Sequence, residues 1–421
     1  MSLAQNGVPP LPVSVDDVRA AQAQLEGQVL RTPTLPAPKL SALTGAEVWV
    51  KYENMQVTNS FKDRGAFVRM SRLDEAQRRA GVITMSAGNH AQAVAYHAQR
   101  LGIPATIVMP EQTPQVKVRS TEAFGARVVL DGETLAESQI RALRIAEEEG
   151  LSLIHPYDDV DVIAGQGTVA LEMLEDAPDL DILVVPIGGG GLISGIAIAA
   201  KALKPGIEIV GVESALYPSM INAMQGQPKP NGGPTLAEGI AVKNVGGLTL
   251  PVVQALVSEI LLVSEPDLER AVNAFAANQK TMAEGAGAAG LAAMLAHPDR
   301  FRGRKVGIVL CGGNIDARIL ASIMVRELER EQRIASFRLT INDQPGVLGR
   351  IATRLGEMGA NILEVEHRRL FLNVPAKGAT LDITVETRDG RHAQQVYEAL
   401  CRFEGIPCRR IDAGGSPLQS Q

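Results

Sequence analysis

Lys62 stands in the run Asn59-Ser60-Phe61-Lys62-Asp63-Arg64-Gly65-Ala66, between a turn and the start of an expected helix. An amine placed there can form a Schiff base with a carbonyl compound if desolvation or a neighbouring positive charge lowers its pKa, and Phe61 and Arg64 are of the types that supply those influences. Taken alone, Lys62 is one of 41 basic residues, and a solvated surface position is the ordinary fate of a lysine. Three further loops alter that reading: Ser86-Ala87-Gly88-Asn89-His90-Ala91-Gln92, Gly188-Gly189-Gly190-Gly191-Leu192 and Cys311-Gly312-Gly313-Asn314. They follow the apolar runs Val82 to Met85, Ile182 to Val185 and Val306 to Leu310. In an open α/β sheet ligands gather beyond the carboxyl ends of strands, so the three loops and the lysine can converge on one crevice. Four successive glycines at the start of a helix leave backbone N–H groups unhindered and able to hold a phosphate; a plain tight turn is the alternative, at a high entropic cost.

The elements that must position these loops alternate along the chain. Ser14-Val15-Asp16-Asp17 resembles a capping box and opens a helix to about Leu25. Glu47 to Glu53 alternates like a half-exposed strand, then comes the Lys62 loop and a helix toward Met70. Strands are expected at 105–109, 128–130, 151–154 and 207–212, with helices at 115–124, 135–149 and 192–203. Such alternation predicts mainly parallel sheets covered by helices, an α/β fold. Residues 226–247 read as a loop-rich connection, and the Ala- and Gly-rich stretch 283–296 as tight helix packing. A charged run from Glu327 to Arg333 marks a boundary, with 329–335 as linker. Beyond it, 336–412 shows a βαββαβ order, a ferredoxin-like unit, and the tail 413–421 reads as disordered.

With 421 residues, 45% hydrophobic and 21% charged, the chain has the length of two or three domains and the composition of a globular protein. A net charge of −6 without a basic tract gives no support to nucleic acid or an anionic membrane as a partner. No apolar run suggests a membrane span, the start lacks a signal-peptide layout, and the expected location is the cytoplasm. The three cysteines lack metal-site spacing, so reduced thiols are expected, with no metal ligands.

In combination and in order, these motifs resemble the threonine dehydratase (threonine ammonia-lyase) family of fold-type-II pyridoxal phosphate enzymes. Residues from about 15 to 325, within a catalytic region of 1–328, resemble two α/β subdomains, the smaller inserted at about 55–155, and 336–412 resembles a single ACT-type regulatory domain. The resemblance implies that Lys62 is the Schiff-base lysine and the base for the substrate α-proton. It implies that Gly188, Gly189, Gly190, Gly191 and Leu192 hold the cofactor phosphate, that Asn89 bonds the phenolic oxygen, and that Ser86, Gly88, Asn89 and His90 grip the substrate carboxylate. Phe61 would pack on the pyridine ring, or equally be a core aromatic; His90 is equally a satisfied structural histidine. Cys311 takes the place facing the pyridine nitrogen, where many relatives carry serine, and a thiol there does not force that nitrogen to stay protonated. Glu284 resembles a glutamate near the ring, with helix capping as the other reading.

The implied reaction, that of a carbon–nitrogen lyase, converts L-threonine to 2-oxobutanoate and ammonia and L-serine to pyruvate, since one methyl is worth only about 1–3 kcal/mol of discrimination. Serine racemase is the rival within the fold. Racemases place a serine directly before the Gly-Asn of the carboxylate loop, here Ala87, and their cation site pairs a glutamate with an aspartate six residues on, whereas here Glu213 is followed by Ser219. Other β-eliminating enzymes of the fold are further alternatives, and a non-catalytic amino-acid sensor is the rival from another class. The turn Asn342-Asp343-Gln344-Pro345-Gly346-Val347-Leu348 matches the place where ACT domains bind amino acids, which implies control by isoleucine or valine, in a homodimer or homotetramer, and service in amino-acid metabolism such as isoleucine biosynthesis; a purely structural dimerisation module is the alternative.

Overall fold

A computed structural model describes residues 11–226, 230–369 and 378–411. The tail expected to be disordered lies outside the described residues. The chain divides into two compact units, Met1–Asp316 and Ala317–Gln421; the helix Ala317–Arg330 therefore groups with the second unit.

The first unit holds two sheets. The larger has the strand order Thr34–Pro36, Glu47–Tyr52, Lys305–Leu310, Ile182–Pro186, Glu208–Ser214, Glu259–Val263, parallel except for the first strand. The smaller is wholly parallel, in the order Arg127–Leu130, Ala105–Met109, Val82–Met85, Ser152–Leu153. The central strands Ile182–Pro186 and Val82–Met85 are buried at every residue, which is why they read as unbroken apolar runs rather than alternating ones. The Ser14 capping box is formed as the sequence predicts, with the Asp17 N–H donating to Ser14 Oγ at 3.2 Å and the Ser14 N–H to Asp17 Oδ2 at 2.8 Å.

One helix without an amphipathic signature organises the unit. Val160–Asp176 is buried from Val162 to Leu174 and packs on both the helix Lys62–Ser71 and the helix Gly191–Leu203. Glycines permit the approach: a Cβ on Gly165 would stand 2.8 Å from Gly65 Cα, and one on Gly195 would stand 2.3 Å from Ile163 O. The lysine-bearing helix and the helix after the tetraglycine are thereby held against one common element.

The second unit is a four-stranded antiparallel sheet ordered Asn361–Arg368, Gly378–Glu386, Ile334–Asn342, Cys408–Ile411. Helices Val347–Glu357 and Gly390–Arg402 complete the βαββαβ order. Strict alternation along Gly378–Glu386 sends Ala379, Leu381, Ile383 and Val385 into a core with Phe337, Leu339, Ile351, Leu355, Val396 and Leu400. Among the described residues no helix is long and apolar enough to cross a membrane, and no group of three His, Cys, Asp or Glu side chains could hold a metal ion.

Candidate active site

Lys62 is the first residue of its helix, directly after Phe61. Its residue surface is half-buried, but the amine is enclosed; it donates to the Pro156 carbonyl at 2.5 Å and lies 5.1 Å from the centroid of the Phe61 ring. Burial lowers its pKa to about 8, against the opposing influence of the Glu284 carboxylate. Desolvation, rather than the adjacent Arg64, is the cause. Arg64 is fully buried and faces away from the amine into an ion cluster: Nε and Nη2 donate to Glu53 at 2.8 Å each, and Nη1 and Nη2 donate to Glu172 at 2.6 and 2.8 Å. Lys51 completes it, donating to Glu172 at 2.5 Å and to the Thr32 carbonyl at 2.6 Å. Two cations and two carboxylates balance, and the cluster pins the helix that presents Lys62.

The Lys62 loop and the Cys311 loop are joined by backbone. The Phe61 N–H donates to Cys311 O at 3.1 Å, the Gly313 N–H to Asn59 O at 3.0 Å, and Ser60 bridges Gly312. Asn59 takes a left-handed φ of 58°, in a turn held by Asp63, whose carboxylate accepts from the Thr58 N–H at 3.2 Å and from its hydroxyl. Side-chain amides extend the connection: Asn314 Nδ2 donates to Asn89 Oδ1 at 2.7 Å and to Thr58 O at 2.8 Å, and Asn89 Nδ2 donates to Glu284 Oε1 at 2.7 Å.

Glu284 stands at the N-cap position of helix Gly285–Ala296, yet its side chain makes no capping bond. It turns into the site instead, where burial pushes its carboxyl up to about 7. Cys311 is buried, its Sγ donates to Ala286 O at 3.5 Å, and burial raises the thiol pKa far enough to keep it neutral.

Residues Ser86 to Gly88 lead into the helix Asn89–Leu101, whose first internal bond runs from the Gln92 N–H to Gly88 O, so the N–H groups of Asn89, His90 and Ala91 open it without helical acceptors. That is an anion-accepting geometry. The Gly88 N–H donates to Ser86 Oγ at 3.2 Å. The His90 ring is buried, Nε2 pairs with Ile154 O at 3.0 Å while Nδ1 has no partner among the described residues, and burial lowers its pKa to about 3. Phe61 is half-buried against the core, and the Leu192 side chain lies within that core.

At the tetraglycine, the N–H groups of Gly188, Gly189 and Gly190 have no acceptor among the described residues, and those of Gly191 and Leu192 begin the helix Gly191–Leu203. Gly190 has φ +97°, and Thr249 Oγ1 donates to Gly189 O at 2.7 Å. Tyr157 lies against the run: a Cβ on Gly189 would meet its ring at 2.3 Å, and its hydroxyl donates to Asn244 O at 2.9 Å. Asp158 accepts the Gly247 and Leu248 N–H groups at 3.0 and 2.8 Å. Pro156, Tyr157, Asp158 and Thr249 were not singled out by sequence; none sits in a glycine-rich or repeated motif, and only the fold brings them to the loop. Glu213 accepts the Met220 and Ile221 N–H groups at 2.7 and 3.1 Å, and burial raises its pKa to about 7.

Residues 25–312 match the family described as pyridoxal-phosphate dependent enzyme, and residues 335–405 match the ACT domain. The chain belongs to the pyridoxal-phosphate dependent enzyme family. It is 42% identical to an L-threonine ammonia-lyase of Thermotoga maritima over 390 residues, which is 92% of this chain and 97% of the relative. It is 42% identical to an L-threo-3-hydroxyaspartate ammonia-lyase of a Pseudomonas species over 74% of this chain and 98% of the relative. Among solved structures, maize serine racemase superposes with a TM-score of 0.70 at 36% identity, covering 76% of this chain and 99% of its own. Pyridoxal phosphate is therefore the cofactor of this pyridoxal-phosphate dependent enzyme, and the site fits it: an enclosed amine of lowered basicity for the aldehyde, and a run of unpaired N–H donors, closed to a Cβ at Gly189, Gly190 and Gly191, for the phosphate.

Proposed function

We propose that this enzyme deaminates L-threonine to 2-oxobutanoate and ammonia, and L-serine to pyruvate. The observation that carries the reading is a likeness to L-threonine ammonia-lyase that runs through both units rather than the first alone. When bound, pyridoxal phosphate supplies an electron sink that acidifies the substrate Cα–H. Lys62 would hold the cofactor through its aldehyde, and its amine, when free, would take the substrate α-proton with a pKa lowered to about 8. Gly188 to Leu192 would hold the phosphate through backbone N–H groups, and Ser86, Gly88 and the helix start at Asn89 and His90 would hold the substrate carboxylate. Asn89, locked between Glu284 and Asn314, would offer its amide to the cofactor's phenolic oxygen, and Phe61 would pack on its ring. The neutral thiol of Cys311 brings no charge to the ring nitrogen, which favours loss of the β-hydroxyl over transamination.

Racemisation is disfavoured by Ala87, since an acid/base on the second face is absent at that position. The second unit acts as a regulatory domain binding an amino acid, isoleucine or valine, at the turn from Asn342 to Leu348, where Gly346 at φ +86° opens the helix Val347–Glu357. Assembly as a homodimer or homotetramer in the cytoplasm completes the reading. A coupled assay of 2-oxoacid release from L-threonine, L-serine and L-threo-3-hydroxyaspartate, with a chiral assay for D-serine, tests it. Threonine turnover that vanishes in Lys62→Ala together with the visible absorbance of the lysine-bound cofactor is the expected result. D-serine without 2-oxoacid, or turnover of hydroxyaspartate alone, would replace it.

A further inference from the structure

Two cysteines that the reaction does not use lie together in the second unit. Cys401 is exposed in the last turn of the helix Gly390–Arg402, and the half-buried Cys408 opens the strand Cys408–Ile411. The chain returns between them in a tight turn. The Phe403 N–H donates to Leu400 O at 3.2 Å, the Ile406 N–H donates to Phe403 O at 3.0 Å, and Glu404 and Gly405 both adopt left-handed φ, 50° and 68°. This return lets Cys401 Sγ donate to the Cys408 carbonyl oxygen at 3.8 Å, which brings the side chain of one cysteine against the backbone of the other. Tyr397 is fixed between Phe337, 6.1 Å away and nearly parallel, and the Arg410 guanidinium at 5.3 Å.

We propose that Cys401 and Cys408 form a redox pair that closes to an intramolecular disulfide when the glutathione pool becomes oxidised. The solvent-facing Cys401 is the attacking sulfur, because access governs thiol–disulfide exchange. Its thiolate displaces one glutathione from glutathione disulfide, leaving a mixed disulfide. Cys408 then gives up its proton and displaces the second glutathione. One sulfur–sulfur bond forms in the protein as one breaks in the oxidant, the two cysteines lose two electrons, and two glutathiones leave reduced. Burial pushes the Cys408 thiol up to about 12, so it waits protonated until the mixed disulfide stands beside it. The bond would fix the turn that carries Glu404, which accepts from Arg350 Nε and Nη2 at 2.7 and 3.0 Å. Arg350 lies on the helix that follows the Asp343 to Gly346 turn, so the modification reaches the segment proposed above to take an effector.

Trypsin cuts after Arg402 and Arg409, which places the two cysteines on separate peptides, 392–402 and 403–409. The holoenzyme is equilibrated in glutathione buffers from fully reduced to mostly oxidised, alkylated, run on a non-reducing gel and digested. The expected result is a disulfide-linked 392–402/403–409 pair on a chain of monomer mobility, removed by dithiothreitol and lost in both Cys401→Ser and Cys408→Ser, with Cys311 unmodified. Free, alkylated thiols at both positions in the oxidised buffer would overturn the proposal. So would stable glutathione on Cys401 alone, or the same linked pair found only between chains.

Discussion

The basicity of Lys62 makes a quantitative prediction about how the enzyme takes up its cofactor. An ordinary lysine near pKa 10.5 is about one part in three thousand free base at about pH 7, whereas one lowered to about 8 is about a tenth free base. Only the free base attacks an aldehyde, so the cofactor-free enzyme should condense with added pyridoxal phosphate about 300-fold faster at about pH 7 than an unperturbed lysine in the same cradle. Between about pH 7 and 9 the rate should rise about tenfold and level off, while an ordinary lysine would rise about a hundredfold without levelling. Stopped-flow absorbance gives the profile, divided by the free-base rate of a small alkylamine to remove the titrations of the cofactor. Glu284→Gln removes a carboxylate that favours the ammonium, so its midpoint should move to lower pH. The sign for stability follows: the folded state holds fewer protons than the unfolded between about pH 8 and 10.4, so this group contributes increasing stability as pH rises through that window. A normalised rate still climbing a hundredfold over that span would refute desolvation as the force acting on Lys62.

Two further outcomes separate the cradle from its support. Gly189→Ala places a methyl 2.3 Å from the Tyr157 ring, which its hydroxyl bond to Asn244 O holds in place, so relief should cost about 1–3 kcal/mol and weaken cofactor binding by about 5- to 150-fold by fluorescence titration, whereas Gly206→Ala, with open space around it, should be silent. Unchanged affinity in Gly189→Ala would remove the tetraglycine from the phosphate site. Arg64→Met strips the guanidinium from Glu53 and Glu172, leaving Lys51 alone against two buried carboxylates, and should cost about 3–5 kcal/mol in urea unfolding. A loss under about 1 kcal/mol would mean that water reaches the cluster and screens it.

The parts of this molecule that were legible in the sequence share a physical cause. Parallel strands buried on both faces give unbroken apolar runs, and glycine-rich loops mark where backbone must stand free of side chains, so strand ends and loops such as Val82 to Asn89 and Ile182 to Gly191 could be located together. The helix Val160–Asp176 escaped because a segment buried from Val162 to Leu174 has no polar face to set a period. Side-chain direction was equally hidden. Arg64 is two residues from Lys62 and reads as a positive neighbour, yet the helix turns it into the Glu53 and Glu172 cluster. Glu284 occupies an N-cap position in sequence, yet Asn89 draws its carboxylate inward.

These hidden elements explain why the visible ones can act together. Lys62 and the tetraglycine lie far apart in sequence, and each is held by its own loop, but their helices both rest on Val160–Asp176 through contacts that no residue larger than glycine permits. The spacing between the helix that begins at Lys62 and the helix that follows the tetraglycine is therefore held by the Gly65, Gly165 and Gly195 contacts as well as by the loops. A side chain forced in at Gly165 would stand 2.8 Å from Gly65 Cα and push the Lys62 helix and Val160–Asp176 apart, so Gly165→Ala should weaken cofactor affinity in the same fluorescence titration while leaving every residue of the four motifs in place.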